Sequence, residues 1–189
     1  MDAVPRCVEA YASLAHNRLS DRAALSSIGT AWRSIERFVD DPSDPDAGTD
    51  MAYAALEAGM AFTNAILGAT HAMSHPVGGL CDAAHGAINS VLLPHVIRFN
   101  AQTDPTPYVE LASVVGVSGG TPHAIAERLA DEVASLARRV GLPADLRSLG
   151  VRDEHVGVLT ANALLDACMT TNPRKPTAHD VARIYREAL

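Results

Sequence analysis

The sequence predicts an all-α fold, a bundle of helices forming a single domain over residues 1–189. The composition supports this, because 48% of the residues are apolar but only 4% are aromatic, and alanine dominates. Alanine-rich, aromatic-poor chains suit close-packed helices better than sheets. Apolar residues also recur at helical spacing in most segments. The length is sufficient for one domain with a sizeable core.

Two helices are predicted before residue 40. The first runs from Met1 to about Ala15 and carries Asp2 in its first turn, where the helix dipole favours a carboxylate. A turn at Asn17 to Ser20 follows, and Ser20 is a good N-cap for a second helix that ends near Val39.

A third predicted helix spans Met51 to Thr70, after an acidic, proline-rich loop at residues 40–48. It contains one charged residue, Glu57, and is otherwise small or apolar. Glu57 and Asn64 make insertion into a bilayer poor, so no membrane span is expected. A helix that is apolar nearly all round is instead predicted to be the buried centre of the domain, leading directly into His71.

The predicted order of the remaining elements follows from proline, glycine and capping residues. Pro76 is expected to end or kink the helix bearing His71, and Gly78-Gly79 to turn the chain into a helix that begins at His85 and bends at Pro94. Beyond residue 100 the sequence predicts a loop at 103–107, a short helix at 108–115 and a glycine-rich linker at 116–120. A long amphipathic helix follows, capped by Thr121 and ending near Val140. The last two predicted helices are one from Arg152 to Met169 and one capped by Thr177.

Charge and cysteine content restrict the possible functions. The net charge of −7 argues against a nucleic-acid partner, since phosphates repel an acidic surface. Cys7, Cys81 and Cys168 are widely separated and form no CxxC pair, which is typical of a reducing cytoplasm. Asp2 and Glu9 flank no long apolar run, so no signal peptide is expected.

Histidines are concentrated in one stretch, Gly68 to His95, which holds four of the eight in the chain. His71 and His75 are four residues apart and share one helix face, and His85 opens the following segment. Two helices that meet at their ends would bring His71 and His85 to one point, where imidazoles can hold zinc, iron or a similar cation. The alternative is that these are ordinary surface or core histidines.

The sequence of this stretch resembles a motif of the iron-containing alcohol dehydrogenase family. That motif is roughly G-x-x-H-A-x-A/S-H-x-x-G-G-x-x-x-x-x-H-G-x-x-N-A-V/I-L-L-P-H-V. Nearly every fixed position is met, with Ser90 where Ala is usual and Ala84 where Pro is usual. The resemblance extends to the start of the chain and to Thr171 to Arg174 near its end. It therefore spans almost the whole chain, which corresponds to the C-terminal helical half of the family's protein, a bundle shared with dehydroquinate-synthase-like enzymes.

The resemblance implies roles for five residues. Asp2, His71 and His85 are implied as ligands of a divalent metal, Fe²⁺ or Zn²⁺, and His75 as the group that relays a proton in catalysis. His95 is implied to be structural.

Arg6 departs from the family pattern, which has a fourth ligand, a histidine, at this position. Arginine has five donors and no acceptor, so it cannot coordinate a cation. A guanidinium about 4 Å from a divalent ion would be repelled by several kcal/mol at an effective dielectric of about 20. Arg6 is therefore expected to point away, to pair with Asp2, or to occupy the place of the metal.

The sequence contains no Gly-Gly-Gly-Ser pyrophosphate turn and no run of buried strands to carry one. The nucleotide-binding α/β half of the family is thus expected to be absent, and NAD(P) to be bound only through a separate subunit or a further domain. A separate nucleotide-binding chain, a piece of a longer protein and a repurposed domain all fit. An oligomer is also expected.

Three functions remain open. The first is the metal-binding part of an alcohol dehydrogenase-like oxidoreductase that interconverts a small alcohol and an aldehyde or ketone. The second is a metal-free reductase resembling maleylacetate reductases, in which Arg6 stabilises the developing alkoxide. The third is a non-catalytic helical module that binds a partner through an exposed apolar face.

Overall fold

The computed structural model describes residues 1–189 and contains nine α-helices and no β-strand. The all-α prediction is therefore confirmed. In chain order the helices are α1 (Ala3–Ala12), α2 (Arg18–Asp40), α3 (Pro45–Ala65), α4 (Ala69–Cys81), α5 (His85–Ala101), α6 (Thr106–Val114), α7 (Pro122–Arg139), α8 (Val156–Leu165) and α9 (Ala178–Glu187). Short 3₁₀ turns lie at Arg147–Leu149, Asp153–His155 and Ala167–Thr171.

The helices pack around two adjoining cores that share α5. The first core is formed by α1, α2, α3, α6 and α7, and the second by α4, α8 and α9. Helix α5 faces both, with Leu93 and Ile97 in the first core and Ile88, Leu92 and Val96 in the second. Because α5 is buried on both sides, its first residue, His85, is held between the two cores.

The N-cap of α2 lies three residues earlier than predicted. Asn17 is the N-cap, and its side chain accepts hydrogen bonds from the backbone N–H groups of Leu19 and Ser20. Ser20 completes a capping box, since its Oγ accepts from the backbone N–H of Asn17 at 2.9 Å. The expectation of Ser20 as N-cap was thus wrong, because Asn17 is an equally good cap and begins the helix sooner.

Helix α3 is not buried on all sides, and this corrects the sequence prediction. Tyr53 and Leu56 are exposed, with relative accessibilities of 62% and 59%. Only the alanines at 47, 54, 58, 61 and 65 are fully buried along this helix. The stripe of small residues lets α3 pack closely on α2 and α1, while the side chains of Tyr53, Leu56 and Met60 face outward. No helix of the chain combines the length and the apolar character needed to cross a membrane.

The boundaries around α3 and α4 also differ from expectation. Helix α3 begins at Pro45, inside the predicted loop, because Asp44 caps it and Pro45 fits the first turn. It ends at Ala65, where Ile66 has a φ of 59°, so it does not continue into His71. Helix α4 starts afresh at Ala69.

Pro76 does not end α4, which continues to Cys81 and contains Gly78 and Gly79 within its last turns. The turn expected at the two glycines lies instead after the helix, where Asp82 adopts the left-handed conformation with a φ of 49°. A proline inside a helix removes a single backbone hydrogen bond, and here the packing of α4 on α5 and α8 outweighs that loss.

A buried polar network seats the beginning of α4 against α1 and the chain after α8. The backbone N–H of Ala69 donates to the side chain of Asn172 at 3.0 Å, and that of Thr70 to Glu9 at 2.5 Å. Gly68 lies between these groups: a Cβ there would be 2.8 Å from Asn172 Oδ1 and 3.1 Å from Glu9 Oε1. The close approach requires glycine at this position.

We predict that Gly68→Ala destabilises the protein by about 1–3 kcal/mol, because the added methyl group crowds a buried, fully packed network. The matched control is Gly59→Ala within α3, where a Cβ meets nothing within 4 Å. Alanine there is expected to stabilise the helix by up to about 1 kcal/mol. Urea unfolding followed by circular dichroism measures both, and equal effects of the two substitutions would contradict the assignment.

Candidate functional site

Three imidazole rings meet where the start of α4 approaches the start of α5. His71 and His75 lie one turn apart on α4, and His85 is the first residue of α5. The ring centroids are 5.2 Å apart for His71 and His85, 5.5 Å for His75 and His85, and 6.2 Å for His71 and His75. The rings of His75 and His85 are nearly parallel, at 11°. The structure therefore brings the three predicted site histidines into one cluster.

Asp2 joins this cluster from the beginning of α1. The ligand atoms of Asp2, His71 and His85 all lie within 4.8 Å of one another. Gly86 makes the approach possible, since a Cβ on that residue would be only 3.3 Å from Cβ of Asp2. The absence of a side chain at Gly86 thus allows the starts of α1 and α5 to touch. His95 lies elsewhere, 4.0 Å from Glu187 of α9.

His71 is oriented by a buried carboxylate, Glu9, from the middle of α1. Nδ1 of His71 lies 2.5 Å from Oε2 of Glu9, and both side chains are at most 4% exposed. Because a carboxylate only accepts, Nδ1 is assigned as the protonated nitrogen, and Nε2 presents its lone pair to the cluster. In metal-ligating histidines, the ring nitrogen that does not bind the metal usually donates a hydrogen bond to a carboxylate or a similar acceptor.

Arg6 pairs with Asp2, which is one of the three orientations expected from the sequence. Nη2 of Arg6 lies 2.5 Å from Oδ2 of Asp2, one helical turn away on α1. The guanidinium also lies over the ring of Phe62, 5.3 Å from its centroid. Arg6 is thus paired with the carboxylate of Asp2 and packed on Phe62.

His75 is held from the opposite side by Asp166, which follows α8. Nδ1 of His75 is 2.7 Å from Oδ2 of Asp166, although the histidine side chain is 44% exposed. Asp166 also accepts a hydrogen bond from the backbone N–H of Cys168 at 2.8 Å. Burial alone would raise the pKa of Asp166, but the hydrogen bonds from His75 and Cys168 outweigh it and hold the pKa below its usual value. The carboxylate therefore stays ionised and fixes the His75 ring.

His85 is suited to remain neutral. Its partial burial lowers its pKa below the usual value, and the neighbouring histidines and Arg6 act in the same direction, against the opposing charge of Asp2. A neutral imidazole keeps the lone pair that a metal ion requires.

A second group of donor atoms, from His75, Asp166 and Cys168, also lies within 4.8 Å. Burial raises the pKa of the Cys168 thiol to about 12, with Asp166 contributing in the same direction. Without a bound cation the sulfur is therefore a protonated thiol at neutral pH. We interpret this group as the support of His75.

The residues at the centre are compatible with a divalent cation. One carboxylate and two imidazoles converge, one imidazole is oriented by Glu9, and an unpaired buried oxygen, Oδ1 of Asn89, lies in the same region. Nitrogen and oxygen donors of this kind suit Fe²⁺ or Zn²⁺. Arg6 weakens such a site, because it contributes positive charge in place of a ligand.

Glu9, Asn89 and Asp166 were not predicted as parts of the site. Glu9 lies seven residues after Asp2, on the same face of α1, and Asn89 lies four residues after His85, so helical periodicity alone could have identified both. Asp166 follows His75 by 91 residues, and no local pattern indicates that α8 returns to α4.

The comparisons with known proteins agree with this fold. Residues 1–189 match the family described as "Fe-containing alcohol dehydrogenase family, C-terminal". The chain therefore belongs to the Fe-containing alcohol dehydrogenase family, and the resemblance noted in the sequence is confirmed.

Among its relatives, the 1,3-propanediol dehydrogenase of Klebsiella pneumoniae is 40% identical over 100% of this chain and 49% of its own length. Alcohol dehydrogenase 4 of Schizosaccharomyces pombe is 39% identical over 100% of this chain and 44% of its own length. The crystal structure of a 1,3-propanediol oxidoreductase superimposes with a TM-score of 0.97 at 39% identity, covering 100% of this chain and 50% of that one. The chain thus spans about half the length of these relatives.

We predict that Glu9→Ala lowers the free energy of unfolding by about 3 kcal/mol, because it leaves His71 and the backbone N–H of Thr70 without their buried acceptor. Glu110→Ala is the matched control, since Glu110 is a hydrogen-bond acceptor at the exposed surface, from Tyr11. Chemical denaturation compares the two. A loss from Glu9→Ala no larger than that from Glu110→Ala would contradict the role given to Glu9.

We also predict an acid-dependent contribution from Asp166. Its folded pKa lies below the unfolded value, so its ionisation stabilises the protein above that unfolded value, about 3.9. This contribution is lost as the pH falls through the lower folded pKa. Asp166→Asn should therefore be less stable than the wild type at pH 7, and the difference should shrink below about pH 4. Asp153→Asn, at an exposed pair with Arg147, is the control and should show little pH-dependent difference.

Proposed function

We propose that this chain is the metal-holding helical half of an NAD(P)-dependent alcohol dehydrogenase-like oxidoreductase that interconverts an alcohol and an aldehyde or ketone. The observation that carries the proposal is the convergence of Asp2, His71 and His85 beside His75. The family and the names of its dehydrogenase relatives support the same reaction class.

In this proposal Asp2, His71 and His85 hold the cation, and Glu9 keeps Nε2 of His71 turned toward it. When bound, Fe²⁺ or Zn²⁺ supplies Lewis acidity to the alcohol or carbonyl oxygen of the substrate. The neutral state of His85, favoured by its lowered pKa, keeps that nitrogen available at neutral pH.

His75 serves as the proton relay. Asp166 accepts from Nδ1 of His75, so Nε2 is the nitrogen free to take the proton of an alcohol and pass it to water. The exposure of the ring provides the path to solvent. The carboxylate of Asp166 stabilises the imidazolium formed in this transfer, without itself being protonated.

Hydride transfer requires a nicotinamide held against the substrate, and the helices described here do not form a nucleotide-binding sheet. We therefore place the NAD(P)-binding half in another segment of the same protein or in a separate subunit that covers the histidine cluster. The relative named for 1,3-propanediol favours a small, uncharged alcohol or aldehyde as substrate.

A metal-free reductase is the second candidate, and the ion pair of Arg6 with Asp2 favours it. In that case the guanidinium would stabilise negative charge on the substrate oxygen. The two candidates differ in metal content. The metal-free reductase would be favoured if protein purified without chelator contains no bound cation and is still active when the nucleotide-binding half is added.

We predict that the protein binds about one equivalent of Zn²⁺ after dialysis and that His71→Ala and His85→Ala each weaken this binding at least about tenfold, because each removes a ligand. His16→Ala is the control, since His16 lies at the exposed surface beside Asp21. Metal analysis and competition with a chromophoric chelator measure the affinity. Unchanged binding in both cluster variants would exclude this centre.

We further predict that His75→Ala keeps the bound cation but lowers the turnover of the complete enzyme, chain plus nucleotide-binding half, by about 10²- to 10⁴-fold, the usual contribution of general acid–base catalysis. The assay is alcohol-dependent reduction of NAD(P)⁺. Full activity of the His75→Ala enzyme would contradict the proton-relay role of His75. Activity of this chain alone, with no added partner, would contradict the placement of the nucleotide site.

A further inference from the structure

The amide of Asn89 lies between the proposed metal ligands with one of its polar atoms unpaired. Asn89 is fully buried at the start of the second turn of α5, at 0% exposure. Its Nδ2 donates to Oδ1 of Asp2 at 2.9 Å and lies 3.2 Å from Nε2 of His71. Its Oδ1 is buried and has no hydrogen-bond partner. An unpaired buried carbonyl oxygen is rare and calls for a physical reason.

These two distances are those expected between ligands of a single ion. Donor atoms held at about 2.1 Å from one cation lie about 3.0 Å apart in octahedral and about 3.4 Å apart in tetrahedral geometry. The terminal amide atom of Asn89 that faces the cluster is therefore already placed where a further ligand would be. In the orientation observed, however, that atom is Nδ2, and an amide nitrogen has no lone pair available for coordination.

A half-turn of the amide about its terminal torsion exchanges the nitrogen and the oxygen. The oxygen then faces the point shared by Asp2 and His71, and the nitrogen takes the former place of the oxygen. One amide atom lacks a partner in either orientation, so the exchange costs only the two contacts of Nδ2. A ligand bond would replace both of them, and Asp2 and His71 would keep their lone pairs for the same ion.

Arg6 explains why such a ligand is needed. The family pattern places a histidine there, and arginine removes that donor while tying up Oδ2 of Asp2. We propose that Oδ1 of Asn89 supplies the fourth protein ligand in this chain, giving a centre of Asp2, His71, His85 and Asn89 with two nitrogen and two oxygen donors. This inference rests on the proposed metal-holding function and concerns which residues complete the centre.

The test is a titration of the metal-free protein with Co²⁺ and Zn²⁺, comparing wild type with Asn89→Ala, Asn89→Asp and Ser90→Ala. We expect Asn89→Ala to bind Co²⁺ about tenfold or more weakly and to show altered visible d–d bands, because one ligand is lost. Asn89→Asp adds an anionic oxygen at the same point and should bind more tightly. Ser90→Ala is the matched control, since Ser90 is equally buried but bonds only to the backbone of Ala87.

The spectrum separates coordination from a general loss of structure, and circular dichroism checks that each variant is folded. Wild-type binding with an unchanged affinity and spectrum in both Asn89 variants would overturn this inference and leave the proposed function intact. If wild type fails to bind but Arg6→His binds, the centre exists and Asn89 does not complete it. If neither binds Co²⁺ or Zn²⁺, both this inference and the metal-holding function fail.

Discussion

One buried carboxylate, Glu9, connects the parts of the molecule on which the site depends. It extends from α1, accepts from the backbone at the start of α4 and binds the ring of His71. Ionised or neutral, a carboxyl group in this position is costly to bury without such partners. The helix that carries Asp2 is therefore linked to the helix that carries His71, and the position of one largely determines that of the other. Gly68 and Gly86 provide the close approach that this link requires.

Arg6 changes the electrostatics of this centre without dispersing its donors. The guanidinium is paired with the carboxylate of Asp2 and lies over the ring of Phe62, and the imidazoles of His71 and His85 still face a common region. Membership of the Fe-containing alcohol dehydrogenase family accounts for the helical fold. The arginine stands where the family pattern has a histidine, so the proposed coordination of a cation falls to the residues that remain.

Sequence reasoning predicted the helical class, the cluster of histidines and the pairing of Arg6 with Asp2 as one of three options. It failed where two local preferences competed or where tertiary packing decided. Asn17 and Ser20 are both good caps, and only the fold shows that the first begins α2. The run of alanines in α3 indicated burial on all sides, but alanine packs closely at one face while Tyr53 and Leu56 remain outside. Asp166 could not be predicted, because its contact with His75 arises from the packing of α8 on α4.

The support of His75 is structurally separate from that of the other cluster residues. Asp2 immediately precedes α1, and His71 and His85 belong to α4 and α5, whereas Asp166 belongs to the turn that follows α8. If His75 is the proposed proton relay, substitutions in that turn change its acid–base behaviour while Asp2, His71 and His85 keep their positions. The proposed function then has two independent routes of divergence, one through the residues that would hold a cation and one through the turn that sets the pH range of turnover.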